Sequence, residues 1–403
     1  VYRAGPNRLP VQQYVPRMTA SRSEQGRRRG VLLAWLAASV ILAGCASSGR
    51  HQGAAPTTAA PGAASVASGP IPLFAHYYLW WDAAHWTARL GAAGSAARGR
   101  LPAVLATDGC SATPSFPGDT LIDVPASPLG LYSEDDAATF RAQVDGAARG
   151  GVNGFVVSWS GTGAADQTST SRSFNRRLAS LVDVVHAYDR THATKFALML
   201  GYEGLDNRRR PRPASWVHND LSYFARTYGT DPAFSVPRYG MKPVVMFLDS
   251  RKFGVAELRQ ILPPYRAQLT LIGDEHGLAE WNRGVSDVFD GDGWYWSEED
   301  PYSNARAFTV LSALAGRLHA EHKLWFSPLS GGYNKSSFGI GGKCVPRRGG
   351  RTLRLIYAGN KRSNPDGWML ISWNEYYENT YAEPSLRYGS QTLDVLRQLR
   401  ATG

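Results

Sequence analysis

Eight short apolar runs recur beyond residue 70, and their spacing restricts the folds open to this chain. They read IPLFAHYYLWW, GFVVSWS, KFALMLGYE, KPVVMFLDS, LTLIGDE, GDGWYWS, KLWFSP and GWMLISWNE. Several are rich in Val, Ile, Phe and Trp, as strands buried on both faces tend to be. Helical patterns separate them. SEDDAATFRAQVDGAARGG predicts a helix with Ser133 as N-cap, Asp136 three residues on, and an end at Gly150-Gly151. SFNRRLASLVDVVHAYDR places Leu178, Leu181, Val182 and Val185 on one helical face. SNARAFTVLSALAGRLHAEHK and TLDVLRQLR behave similarly. Eight strand-then-helix units over residues 71–403 predict an α/β fold, the (β/α)8 TIM barrel. An open Rossmann-like sheet is the runner-up, but no GxGxxG follows an early strand. GGYNKSSFGIGGK has neither that spacing nor a P-loop's.

The first 70 residues read differently. RRRGVLLAWLAASVILAGC has three arginines, an apolar stretch over 31–42, and a small-residue ending. The stretch is too short for a spanning helix, so residues 1–45 are expected to be a lipoprotein signal segment with Cys45 as the lipidated residue. Residues 46–70, ASSGRHQGAAPTTAAPGAASVASGP, cannot bury a core and are expected to form a flexible Ala/Ser/Gly/Pro linker. The expected location is therefore the extracytoplasmic face of a bacterial cell membrane, with that membrane as a partner through the lipid anchor.

Export changes the charge argument. Residues 1–44 carry seven arginines against one glutamate, so most of the chain's net +11 lies in that segment. The basic stretches NRRRPRP and VPRRGGR are then expected to be solvated loops, with no nucleic-acid partner. With Cys45 set aside, Cys110 and Cys344 form an even pair in an oxidising compartment, where a disulfide is expected. No metal or cofactor motif is evident.

In a barrel the functional site lies at the C-terminal ends of the strands. The first run ends in Tyr77, Tyr78, Trp80 and Trp81, and the second in Trp159. Tyr202 and Glu203 end the third, and Asp249 the fourth. Asp274, Glu275 and His276 follow the fifth, and Trp294, Tyr295, Trp296 and Glu298 belong to the sixth. Tyr333 and Asn334 follow the seventh, and Trp373, Asn374, Glu375 and Glu378 the eighth. Flat aromatics stack on the C–H-rich faces of sugar rings, while carboxylates bind hydroxyls and carry protons. Glycoside cleavage ordinarily needs two carboxylates flanking the bond. Glu375 and Glu378, three apart at the last strand's end, are the candidate catalytic pair. The acidic run Glu298, Glu299, Asp300 reads as a helix entrance. Candidate substrate contacts are Tyr77, Tyr78, Trp80, Trp159, Tyr202, Glu203, Asp249, Trp294, Trp296, Tyr333, Trp373 and Asn374.

The stretch SWNEYYENTYAEPS resembles the last-strand signature of glycoside hydrolase family 99, S-W/F-N-E-W-H-E-G-T-x-I-E-P. FAHYYLWW, GVNGFVVSW and SPLSGGYN are similar to other segments of that family, in the same order. Family 71, the α-1,3-glucanases, looks related. The resemblance implies a retaining endo-α-glycosidase on a (β/α)8 barrel without a metal requirement. It implies that Glu375 deprotonates the substrate's 2-hydroxyl, giving a 1,2-anhydro sugar, and that Glu378 serves as acid and then base. It further implies that Asn374 holds Glu375 and that Glu383 supports the loop. Two positions depart from the signature. Tyr377 stands where the family has His, and Asn379 where it has Gly, although Asn also takes the left-handed conformation.

The function expected is thus an exported endo-acting glycosidase cleaving an α-linked polysaccharide or oligosaccharide, α-mannan-like or an α-glucan. The alternatives are a non-catalytic glycan-binding lipoprotein and a WbsX-like sugar-transferring enzyme. Retention of both glutamates argues against the first, and export away from cytoplasmic nucleotide sugars against the second.

Overall fold

The computed structural model describes residues 70–96, 110, 121–163, 169–206, 208–304, 306–335 and 343–402. The expected signal segment with Cys45, and the linker as far as residue 69, lie outside these. Eight parallel strands close into a barrel: β1 (Leu73–Tyr77), β2 (Gly154–Trp159), β3 (Ala197–Glu203), β4 (Val244–Leu248), β5 (Thr270–Gly273), β6 (Gly291–Asp292), β7 (Leu324–Ser330) and β10 (Gly367–Ile371). Each falls inside one of the eight apolar runs. β10 closes the ring against β1, pairing Leu73 with Trp368 and Ala75 with Leu370. A small antiparallel pair, β8 (Tyr333–Asn334) and β9 (Cys344–Val345), lies between β7 and β10.

A helix follows every barrel strand. α1 (Ala83–Ala96) and α2 (Ala137–Arg149) follow β1; α3 (Ser169–Thr191), α4 (Ala214–Tyr228) and α5 (Val255–Ile261) follow β2, β3 and β4. α6 (Leu278–Trp281), α7 (Ala307–Ala320), α8 (Arg351–Asn360) and α9 (Gln391–Ala401) complete the ring. The N-cap of α2 is Asp136 rather than Ser133, because its carboxylate accepts the Ala138 amide proton two residues on. The acidic run at 298–300 does not open a helix either. Instead Glu299 pairs with Lys343, Glu298 with Lys335 at 3.9 Å, and Asp300 with Arg348 at 3.5 Å.

Strand residues alternate between two apolar layers. Leu73, Ala75, Phe155, Val157, Leu198, Leu200, Val245 and Phe247 pack outward with helical residues such as Leu181, Val185 and Leu221. Phe74, Val156, Met199, Met246, Ile272, Phe326 and Met369 fill the barrel interior. Close strand approach requires glycine at 154, where a Cβ would stand 1.9 Å from the Ala197 carbonyl oxygen.

The basic stretches are solvated only in part: Arg208, Arg210 and Arg351 are exposed, but two other arginines are not. Arg212 is buried against Asp220 at 3.4 Å. Arg347, 1% exposed, donates to the carbonyls of Asn379 and Tyr381 at 2.8 and 2.9 Å and to Thr392 Oγ1 at 3.0 Å. Cys110 and Cys344 are joined by a disulfide that fastens β9. Among the described residues no helix is long and apolar enough to cross a membrane, and no cluster of His, Cys, Asp or Glu is set to hold a metal ion.

Candidate active site

After β10 the chain folds back on itself in a tight turn over residues 376–379, without continuing as a helix. Ser372 Oγ accepts the Glu375 amide proton at 2.9 Å, and the Ser372 and Thr380 backbones are bonded at 3.0 Å. Asn379 closes the turn at φ 56°, the left-handed conformation anticipated for it. The Asn334 amide of β8 donates to the Glu378 carbonyl at 2.7 Å. Arg347 grips the far side of the same turn through the Asn379 and Tyr381 carbonyls. The turn is thus held from β10, β8 and the loop before α8.

These constraints present two glutamates at the mouth of the barrel. Glu375 is 4% exposed and accepts the Tyr377 amide proton at 2.8 Å. Burial raises its carboxyl well above the usual range, the neighbouring Glu378 charge raises it further, and Arg89 opposes both weakly. Glu378 is half-buried and pushed up to about 7, first by burial; Lys335 and Arg209 pull it down, while Glu298 pushes it up. Two largely desolvated carboxyls in each other's field do not both ionise readily, so the pair holds a proton near neutrality.

Phenols surround the pair. Tyr78 and Tyr295 share a hydroxyl hydrogen bond of 2.8 Å. Burial lifts both above the ordinary tyrosine range, and both also feel the charges of Glu375 and Glu378. They are therefore protonated and able to donate. Tyr333 is raised by burial and then by Glu378. Glu203 accepts the Ser158 hydroxyl at 2.7 Å and is raised by burial and by Asp249. His76 packs edge-on to Tyr295 with ring centres 4.8 Å apart; burial lowers it to about 4, which leaves it neutral. Trp80 stacks on Tyr78 at 4.3 Å, giving a half-buried aromatic platform beside the carboxylates.

Of the expected substrate contacts, Tyr78, Trp80, Glu203 and Tyr333 join Glu375 and Glu378 in this cluster. Others do not join it, and for those within strands the reason is parity, because an odd step along a strand reverses the side chain. Tyr77, fully buried, points outward and bonds Gln143 of α2. Trp159 and Tyr202 also face the helices; Tyr202 donates to Asp220 of α4 at 3.0 Å. Trp296 and Trp373 lie in the same outer layer, and Trp294 packs against it while stacking on His276. Asp249 is committed to Arg209 at 2.5 Å and Arg251 at 3.1 Å.

Asn374 is fully buried and holds Tyr78 rather than Glu375. Its Oδ1 accepts the Tyr78 amide proton at 2.9 Å, and its Nδ2 donates to the Tyr78 carbonyl and to Glu134. Glu383 lies beneath the loop, accepting from Gln143, Tyr132 and Tyr376 at 2.8, 3.0 and 3.1 Å. Sequence reasoning placed Tyr295 at the functional end without choosing it as a substrate contact and did not select His76, although each neighbours a chosen residue by one position.

No protein-family model matches the chain, and no curated protein matches it. Its fold is similar to that of the solved GH99 endo-alpha-mannosidase from Bacteroides thetaiotaomicron. The TM-score is 0.58 at 18% identity, covering 82% of this chain and 98% of that one. A solved glycoside hydrolase-like protein gives a TM-score of 0.57 at 14% identity, over 83% of this chain and 97% of that one. The chain thus shares a (β/α)8 barrel with proteins of glycoside hydrolase type.

Proposed function

We propose that this chain is a retaining, endo-acting glycosidase that cleaves an α-linked glycan, α-mannan-like or an α-glucan, outside the cell, where lipid at Cys45 anchors it. The observation that carries the reading is the mutually interacting Glu375/Glu378 pair at the barrel mouth, within a wall of protonated phenols. The likeness of fold to an endo-alpha-mannosidase supports it.

In the productive state Glu375 is ionised and Glu378 protonated. In the free protein burial and the Glu378 charge favour a protonated Glu375, against the Tyr377 amide and the Arg89 charge, so this state is reached when the proton on the pair moves to Glu378. Glu375 takes the proton of the substrate's 2-hydroxyl, whose oxygen attacks the anomeric carbon. The anomeric carbon–oxygen bond to the leaving sugar breaks as Glu378 gives that oxygen its proton. A 1,2-anhydro sugar results. Water then opens it at the anomeric carbon, giving a proton to Glu378, while Glu375 returns its proton to O2. Two displacements at one carbon retain configuration. Tyr78 and Trp80 supply the stacking face, and the Tyr78–Tyr295 hydroxyls bind sugar oxygens.

The test is mass spectrometry of products after the chain is incubated with α-mannans and α-glucans, alongside the Glu375→Gln/Glu378→Gln double variant. Oligosaccharides from the unaltered chain alone are expected, and they name the linkage. Retained glycan binding without products from the unaltered chain overturns the catalytic reading.

A further inference from the structure

Trp80, Tyr377 and Arg89 form one edge of the site, and all three are half-buried. The Arg89 guanidinium carbon stands 4.7 Å from the centre of the Tyr377 ring. Trp80 meets the same ring edge-on, 5.7 Å between centres. The His85 ring, one helical turn before Arg89, bonds the Tyr377 hydroxyl. Burial and the Arg89 charge hold that histidine at about 4, so it adds no positive charge near neutrality.

Arg89 acts on Glu375, whereas the two cations that act on Glu378 are each answered by an acid, Arg209 by Asp249 at 2.5 Å and Lys335 by Glu298 at 3.9 Å. Arg89 has no carboxylate partner among the described residues; its side chain hydrogen-bonds Tyr377, and its Nε is buried without an acceptor. Trp80 Nε1, across Tyr377, is also a buried donor without an acceptor. Burying donors without acceptors costs free energy that an acceptor-rich ligand recovers. A planar guanidinium suits the paired oxygens of a carboxylate or phosphate.

We propose that the glycan bears an acidic substituent, a carboxylate or a phosphate ester, on the sugar that stacks at Trp80, and that Arg89 with Trp80 Nε1 binds it. The proposal rests on the glycosidase reading and deepens it by naming the substrate class. It places the negative group beside the reacting centre, within the field that Glu375 also feels.

The test is direct binding, which needs no turnover. The full chain is titrated calorimetrically with D-glucose, D-glucuronic acid, D-glucose 6-phosphate and inorganic phosphate. An acidic sugar is expected to bind about tenfold or more tightly than glucose, as one charge-assisted contact permits. Arg89→Gln is expected to abolish that advantage, and Arg89→Lys to keep part of it. Preference for glucuronate assigns the substituent as carboxylate, and preference for the phosphate ester assigns it as phosphate. Acidic sugars no tighter than glucose, an advantage that survives in Arg89→Gln, or inorganic phosphate as tight as the ester would each overturn the proposal. Thermal unfolding of both variants confirms that they fold. Failure of the glycosidase reading is separately visible as the absence of products when the unaltered chain is incubated with glycans it binds.

Discussion

Desolvation pushes Glu378 up to about 7, and burial together with the Glu378 charge raises Glu375 well above the usual carboxyl range. An acid of this kind works only while protonated, so kcat/KM is expected to fall as the pH rises through about 7. Glu378→Gln should lower kcat by about 10²–10⁴ and remove that alkaline limb. A variant with the limb intact would assign it to another group. Asn379 is a second residue whose role is local. At φ 56° it tolerates glycine, so Asn379→Gly should change stability by less than about 1 kcal/mol. A β-branched side chain is strained there, and Asn379→Val should cost about 1–2 kcal/mol in urea unfolding and misplace Glu378.

At the scale of the strand, parity decides which aromatic residues meet substrate. Tyr202 and Tyr295 both belong to strand ends, yet Tyr202 faces α4 and Tyr295 faces the barrel mouth. Tyr202→Phe leaves buried Asp220 short of a donor, so it should lower stability by about 1–3 kcal/mol while kcat/KM is kept. Tyr295→Phe should do the reverse, lowering kcat/KM with little change in Tm. The two variants exchanging effects would mean that the inward and outward faces are misassigned. This is also where legibility in the sequence ended. The eight runs located every barrel strand, and the last one located the glutamates. Parity was hidden because a parallel barrel is apolar on both faces, so GFVVSW shows no polar alternation from which to read inside and outside. Residues that brace the turn, such as Arg347 and Glu134, come from segments distant in sequence and carry no periodic signal. Arg347 in particular lies in a basic stretch whose composition suggests solvent, yet it is sealed between the Tyr381 and Tyr388 rings.

Across the whole molecule the site leaves a thermodynamic signature. Besides the active pair, the buried Glu134, Asp123 and Glu383 and the half-buried Glu203 have carboxyls raised above their usual values, Glu383 to about 7. A carboxyl raised by folding keeps its proton where the unfolded chain has released it. Its stabilising contribution is complete below the unfolded value, about 4.3 for Glu, and is lost as the pH climbs to the folded one. Asp274 and Asp135 act oppositely, since hydrogen bonds hold them below the usual range; their contribution disappears only as the pH falls through those low values. Stability should therefore be greatest on the mildly acidic side, near pH 5. Tm is expected to drop by several degrees between pH 5 and 8, a shift calorimetry resolves in a chain of this size. Glu383→Gln, which cannot ionise, should flatten that slope without moving the alkaline limb of kcat/KM. A Tm that holds steady or rises over the same interval would mean that these carboxyls are ionised in the folded protein, and the proton on the Glu375/Glu378 pair would come into question with them.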